Sequence, residues 1–123
     1  MTATSFEIAA TRFGDGQSPF LSARRVSDQL GVTLSDLARL IGVARNTLTA
    51  KSSARKVDHA LSHVVRILAM ASEMAGDENR AIIWFKHQPI PGWAGKTAYD
   101  LVGEGKADKV LAYLEAVRSG VYA

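Results

Sequence analysis

The sequence has no cysteine anywhere in its 123 residues. That excludes a disulfide framework, a thiol nucleophile and any cysteine-ligated zinc or iron–sulfur site, and it makes the cytoplasm the expected compartment. Long apolar runs are also missing. No stretch approaches the roughly 18 residues of a membrane span, and the first twenty residues carry Glu7 and Asp15 instead of a basic end followed by an apolar run. No membrane or export segment is expected. Catalytic constellations are equally scarce. Asp and Glu stand singly, no glycine-rich phosphate loop follows a strand, and the serines lack an identifiable base partner, so no catalytic residue, no cofactor and no enzyme activity are assigned.

What is present fits a small folded protein. With 47% hydrophobic and 22% charged residues, the chain can build one ordinary core or two very small ones. A large catalytic barrel is out of reach. The net charge is only +3, but it is unevenly distributed. Residues 1–20 carry −1, residues 21–66 carry +5 and residues 67–123 carry −1, so the basic excess sits in one block.

Punctuation along the chain predicts helices throughout. The first 21 residues lack periodic apolar positions and read as a loose arm. Ser22 is an N-cap candidate for a short helix that carries Val26 and Leu30 and stops at Gly31. Thr33-Leu-Ser-Asp36 matches a capping box opening a second helix, with Leu34, Leu37, Ala38 and Ile41 on one face and a stop at Gly42. Val43 to Lys51 is expected as a third helix, and Lys51 to Lys56 as a hinge. Val57, Leu61, Val64, Val65, Leu68, Ala71 and Ala75 recur at helical spacing up to Gly76 and predict the longest helix. Asp77 caps the next, in which Trp84 and Phe85 are expected in the core, before Pro89 and Pro91 impose an extended break. Thr97-Ala-Tyr-Asp100 is a second capping box. Ala107, Val110, Leu111, Leu114 and Val117 mark a final amphipathic helix closed by Gly120. No segment alternates with period two, so the fold class is all-α.

The stretch from Leu34 to Lys51, LSDLARLIGVARNTLTAK, has the layout of a helix-turn-helix. It supplies a small residue where two helices cross (Ala38), a glycine in the tight turn (Gly42) and apolar anchors on both sides. That layout frees Arg45, Asn46, Thr47, Thr49 and Lys51 to meet DNA. Arg pairs bidentately with guanine, Asn with adenine, and hydroxyls suit phosphates. Arg24, Arg25, Arg39, Arg55 and Lys56 flank this segment and can neutralise phosphates. The same features also fit a helical bundle with a solvated basic face. His59 and His63 stand four residues apart on the long helix, but no HExxH motif and no third ligand accompany them, so no metal is assigned.

The aromatic residues point to the other end of the chain. Trp84, Phe85, Trp93, Tyr99, Tyr113 and Tyr122 are six of the nine. Tyr122 follows a helix-ending glycine close to the terminal carboxylate, and such a side chain suits a partner protein because hot spots favour Tyr and Trp.

From Trp84 onward, the pattern Trp84, Pro89, Gly95, Thr97, Asp100-Leu101-Val102, Gly105, Val110, Leu114 and Gly120-Val121-Tyr122 resembles the toxin-binding domain of the Xre/MbcA/ParS antitoxins. Together with the helix-turn-helix, the resemblance covers about four fifths of the chain. It departs at Ala98, where many relatives carry proline, and in the insertion-like Pro91 to Ala94. The resemblance implies an antitoxin that neutralises a RES-type toxin, one that consumes NAD or uses it for ADP-ribosylation. By position, Gly120, Val121, Tyr122 and Ala123, with Trp93, would face that toxin. The helix-turn-helix half would bind the operon's own promoter DNA or form a homodimer. The expected organisation is an arm over 1–21, a helix-turn-helix region over 22–56 and a helical toxin-binding domain over 57–123. A stand-alone regulator, with a second half that dimerises or senses a ligand, is the alternative.

Overall fold

The computed structural model describes residues 20–120, which form seven α-helices. The expectations for residues 1–19 and 121–123 lie outside the described residues. The first helix, α1 (Ala23–Leu30), starts as its sequence predicts, the Arg25 N–H donating to Ser22 Oγ. It closes at Gly31 with N–H groups returned to the Ser27 and Asp28 carbonyls. A complete capping box at Thr33 and Asp36 opens α2 (Leu34–Ile41). At its end the N–H groups of Gly42 and Val43 both donate to the Ala38 carbonyl. Gly42 sits at φ 75°, a left-handed conformation that a side chain would strain.

Three details of this region differ from the sequence-based expectation. The third helix, α3, runs only from Arg45 to Thr49, not from Val43 to Lys51. Ala44 offers no side-chain cap, the Arg-Asn-Thr-Leu-Thr stretch is poor in strong helix formers, and Ala50 returns to extended backbone. The expected hinge is itself helical. A 3₁₀ turn over Lys51–Ser53 leads straight into α4 (Ala54–Ala75), so Arg55 and Lys56 belong to the first turn of the long helix. The inner face of α2 is also broader than expected: Leu40 is buried along with Leu37 and Ala38, while Leu34 and Ile41 are partly buried and pack against the core.

Helix α4 is the axis of the fold. Nine of its residues are buried, among them Leu61, Val64, Val65 and Ile67 with no measurable exposure, and Gly76 ends it in the left-handed region. Asp77 accepts from the Asn79 N–H and starts α5 (Glu78–His87). A second complete capping box, Thr97 with Asp100, opens α6 (Ala98–Gly103), and α7 runs over Ala107–Arg118. Helices α5 and α7 pack on α4, α6 packs on α2, and α1 and α3 close against the other helices of the first half and α4.

One hydrophobic cluster therefore includes Val26, Leu37 and Leu48 from the first half and Phe85, Leu101 and Val110 from the second. Residues 56 and 57, where the sequence places its domain boundary, are consecutive within α4. A polar tie also joins the halves. The Lys86 ammonium on α5 donates to the Leu30 carbonyl at 2.9 Å, placing a cation at the C-terminal end of α1. Leu21 belongs to the fold as well, since it packs on the core and its N–H donates to Asp58 Oδ1 at 2.8 Å.

Between α5 and α6, the segment 88–97 is ordered by local bonds. Pro89 and Thr97 form an isolated antiparallel bridge, and the Ile90 N–H donates to Lys96 O at 2.8 Å. Ile90, between the two prolines, is only 2% exposed and plugs the core from the loop.

Candidate functional site

The basic block forms an exposed surface around α3. Arg45, Asn46, Thr49 and Lys51 are exposed and Thr47 is half-buried, while Leu48 turns inward at 6% exposure and anchors the segment. At about 1.5 Å of rise per residue, Arg45 and Thr49 stand roughly 6 Å apart along the axis, a short reading face. Lys51 lies beyond the break at Ala50, on the 3₁₀ turn. Arg24, Thr49 and Lys51 line one open groove of about 640 Å³ between the start of α1 and the α3–α4 junction. The fold thus brings part of the flanking basic set to the edge of the expected reading helix. Arg25, Arg55 and Lys56 are exposed as well, and Arg39 is exposed with only a 3.7 Å pairing to Asp36.

The histidine pair is an edge-to-face stack. His59 and His63 have ring centroids 5.7 Å apart, and no group of three or more potential metal ligands exists among the described residues.

The second candidate surface is built on the 88–97 loop and α7. Trp93 is half-buried within a tight loop in which Gly92 and Gly95 take positive φ, and Ala94 is held at φ 54°, a conformation that costs a non-glycine residue roughly 1–2 kcal/mol. The Trp93 N–H donates to Ile90 O and the Lys96 N–H to Trp93 O, which fixes the loop on either side of the ring. The Lys106 ammonium lies 5.5 Å from the ring centroid, within cation–π range. Lys106 also pairs with Glu104 at 3.3 Å, and Lys96 reaches the same carboxylate at 2.8 Å. Hydrogen bonds first from Lys96 and then from Lys106 hold the Glu104 carboxyl below its ordinary range. Trp93 is therefore presented by a rigid loop with a lysine over one face.

Gly120 is exposed at φ 85°, where its N–H donates to Val117 O as the chain leaves α7. Val121, Tyr122 and Ala123, expected to face the partner, lie outside the described residues. Phe85 is fully buried and meets Tyr99 edge-to-face at 5.9 Å, while Trp84, its neighbour on α5, is partly buried and packs against the same core with some surface left in solvent. Burial, and then the Asp36 carboxylate on α2, push the Tyr99 hydroxyl above its usual pKa.

Trp84 also rims an apolar groove of about 340 Å³ at the end of α4, with Met74, Arg80, Tyr113 and Val117. Sequence periodicity did not single out this groove. Its one available signal was Met74 on the helix that continues past the buried positions Met70 and Ala71.

No helix among the described residues is long and apolar enough to cross a membrane. Residues 70–120 match the family model of the antitoxin Xre/MbcA/ParS C-terminal toxin-binding domain. The matched stretch begins in the last turns of α4, takes in α5, α6 and α7 and ends at Gly120. Neither a curated protein nor a solved structure matches the chain. The family match supports an antitoxin of the Xre/MbcA/ParS type, with a toxin-binding domain in its C-terminal part.

Proposed function

We propose that this chain neutralises a RES-class toxin, one that hydrolyses NAD or transfers its ADP-ribose, by placing its C-terminal segment in the toxin's active-site cleft. The observation that carries this reading is the family match ending at Gly120, the point where the chain leaves α7. Gly120, Val121, Tyr122 and Ala123 form the blocking segment, and Trp93 adds a rigid aromatic contact. The physical logic is occlusion: a short terminal segment with a tyrosine near its end fills a cleft that a substrate must enter, without chemistry of its own.

The first half supplies autoregulation. Arg45, Asn46, Thr47 and Thr49 read the operon's own promoter in the major groove, while Lys51, Arg24 and the other basic residues hold phosphates. A homodimer would present two such faces to a two-fold operator. The exposure of Arg45 and Asn46 beside the groove shared by Arg24, Thr49 and Lys51 supports this reading.

Deleting residues 121–123 tests the central step. The truncated chain should retain the helical circular dichroism of the full chain but fail to protect cells expressing the toxin of the adjacent reading frame. Full protection by the truncated chain would eliminate tail-mediated blockade.

A further inference from the structure

We propose that the apolar groove between the end of α4, α5 and α7 is the grip that holds the toxin, and that its occupant is an amphipathic helix of the toxin bearing a carboxylate. This rests on the reading that residues 70–120 bind a toxin, and it assigns affinity to a surface distinct from the terminal segment that blocks.

The groove lies wholly within the family-matched stretch. Met74 and Trp84 line it and remain in contact with solvent, Met74 at 37% exposure, so apolar surface there is left for a partner to cover. Val117, on its α7 side, is one turn before Gly120, so a partner lying along the groove reaches the point where the terminal segment departs. One partner can thus be gripped along α7 and blocked by the segment that follows Gly120.

The shape and charge select among occupants. The groove is an open trough walled by helices, the form that takes the apolar stripe of another helix, whereas small-ligand sites enclose most of their ligand. Its lining contains one cation, Arg80, and no anion. A two-fold pairing of identical copies sets this lining against itself, and the lining offers Arg80 no carboxylate. A toxin helix with an Asp or Glu beside its apolar stripe supplies one. Asp77 holds Arg80 only at 3.9 Å on an exposed surface, and a partner carboxylate can replace it.

The test uses the full chain and the purified product of the adjacent reading frame, with affinity read by calorimetry. Met74→Lys, Arg80→Glu and the double variant Met74→Lys/Val117→Lys should each weaken binding, the double variant roughly tenfold or more, as for loss of anchors in a buried interface. Helical content should be unchanged in each. Ile83→Lys, at a 61% exposed apolar position on α5 outside the groove, should bind as the parent chain does. Removing residues 121–123 should reduce toxin inhibition more than it reduces affinity.

Parent-like binding by all three groove variants overturns the proposal while leaving the antitoxin reading in place. So does a parent chain that is dimeric in solution and becomes monomeric in Met74→Lys, because the occupant is then a second copy. If the parent chain does not bind the neighbouring product at all, the antitoxin reading fails together with the groove.

Discussion

Truncating Phe85 to alanine should melt both halves of the molecule together. Phe85 has no measurable exposure, lies edge-to-face on Tyr99, and belongs to the cluster that also contains Val26, Leu37 and Leu48 from the helix-turn-helix region. Removing such a side chain costs about 3–5 kcal/mol, from lost transfer free energy and from the cavity left behind. A domain of this size has roughly 5–15 kcal/mol in total, so the variant should fold but with little reserve. At roughly 4–8 °C per kcal/mol, the midpoint should fall by at least about 12 °C. The assay compares two probes. Both tryptophans, Trp84 and Trp93, lie in the second half, so their fluorescence reports that half alone, whereas far-ultraviolet circular dichroism reports every helix. One shared core requires the two transitions to coincide in parent and variant, and both to shift equally. If fluorescence were lost early while the dichroism of α1 to α3 persisted to the parent midpoint, the halves would be separate units and the reasoning wrong.

Three further outcomes follow from local geometry. Thr97→Ala removes the hydroxyl that accepts from the Asp100 N–H and should cost about 1 kcal/mol in chemical denaturation, with Thr97→Ser restoring most of it. Glu104 is held below its ordinary pKa, so its ion pairs contribute stability that is present above the ordinary glutamate range and is lost as pH falls through the depressed value. The Glu104→Gln variant should therefore show a shallower loss of midpoint on acidification, most clearly at low salt, and an unchanged slope would exclude that contribution. Arg45→Ala/Asn46→Ala should weaken binding to the operon's own promoter in mobility-shift titrations without changing the melting temperature, because both side chains are exposed; unaltered promoter affinity would remove them from the reading face.

Element ends were the most legible part of the sequence, because caps are local chemistry. Ser22, Thr33 with Asp36, Asp77, and Thr97 with Asp100 all cap as their residue types dictate, and the glycines at 31, 42 and 76 stop the helices before them. Tertiary direction was less legible. Periodicity placed Leu34, Leu37, Ala38 and Ile41 on the inner face of α2, where all four meet the core, but missed Leu40, which is covered by α6 from elsewhere in the chain. Ile90 looked like linker because prolines flank it, yet the bridge at Pro89 and the bond to Lys96 turn it into the core. The groove at Met74 and Trp84 exists only where three helices converge, and residue spacing along one helix does not encode it.

The most direct test of toxin binding is the mass of whatever co-purifies with this chain when it is expressed with its neighbouring reading frame. A stable complex containing both polypeptides in a fixed ratio, surviving size-exclusion chromatography, is the predicted result. Recovery of this chain alone, with an intact and soluble neighbour left in the unbound fraction, would contradict it.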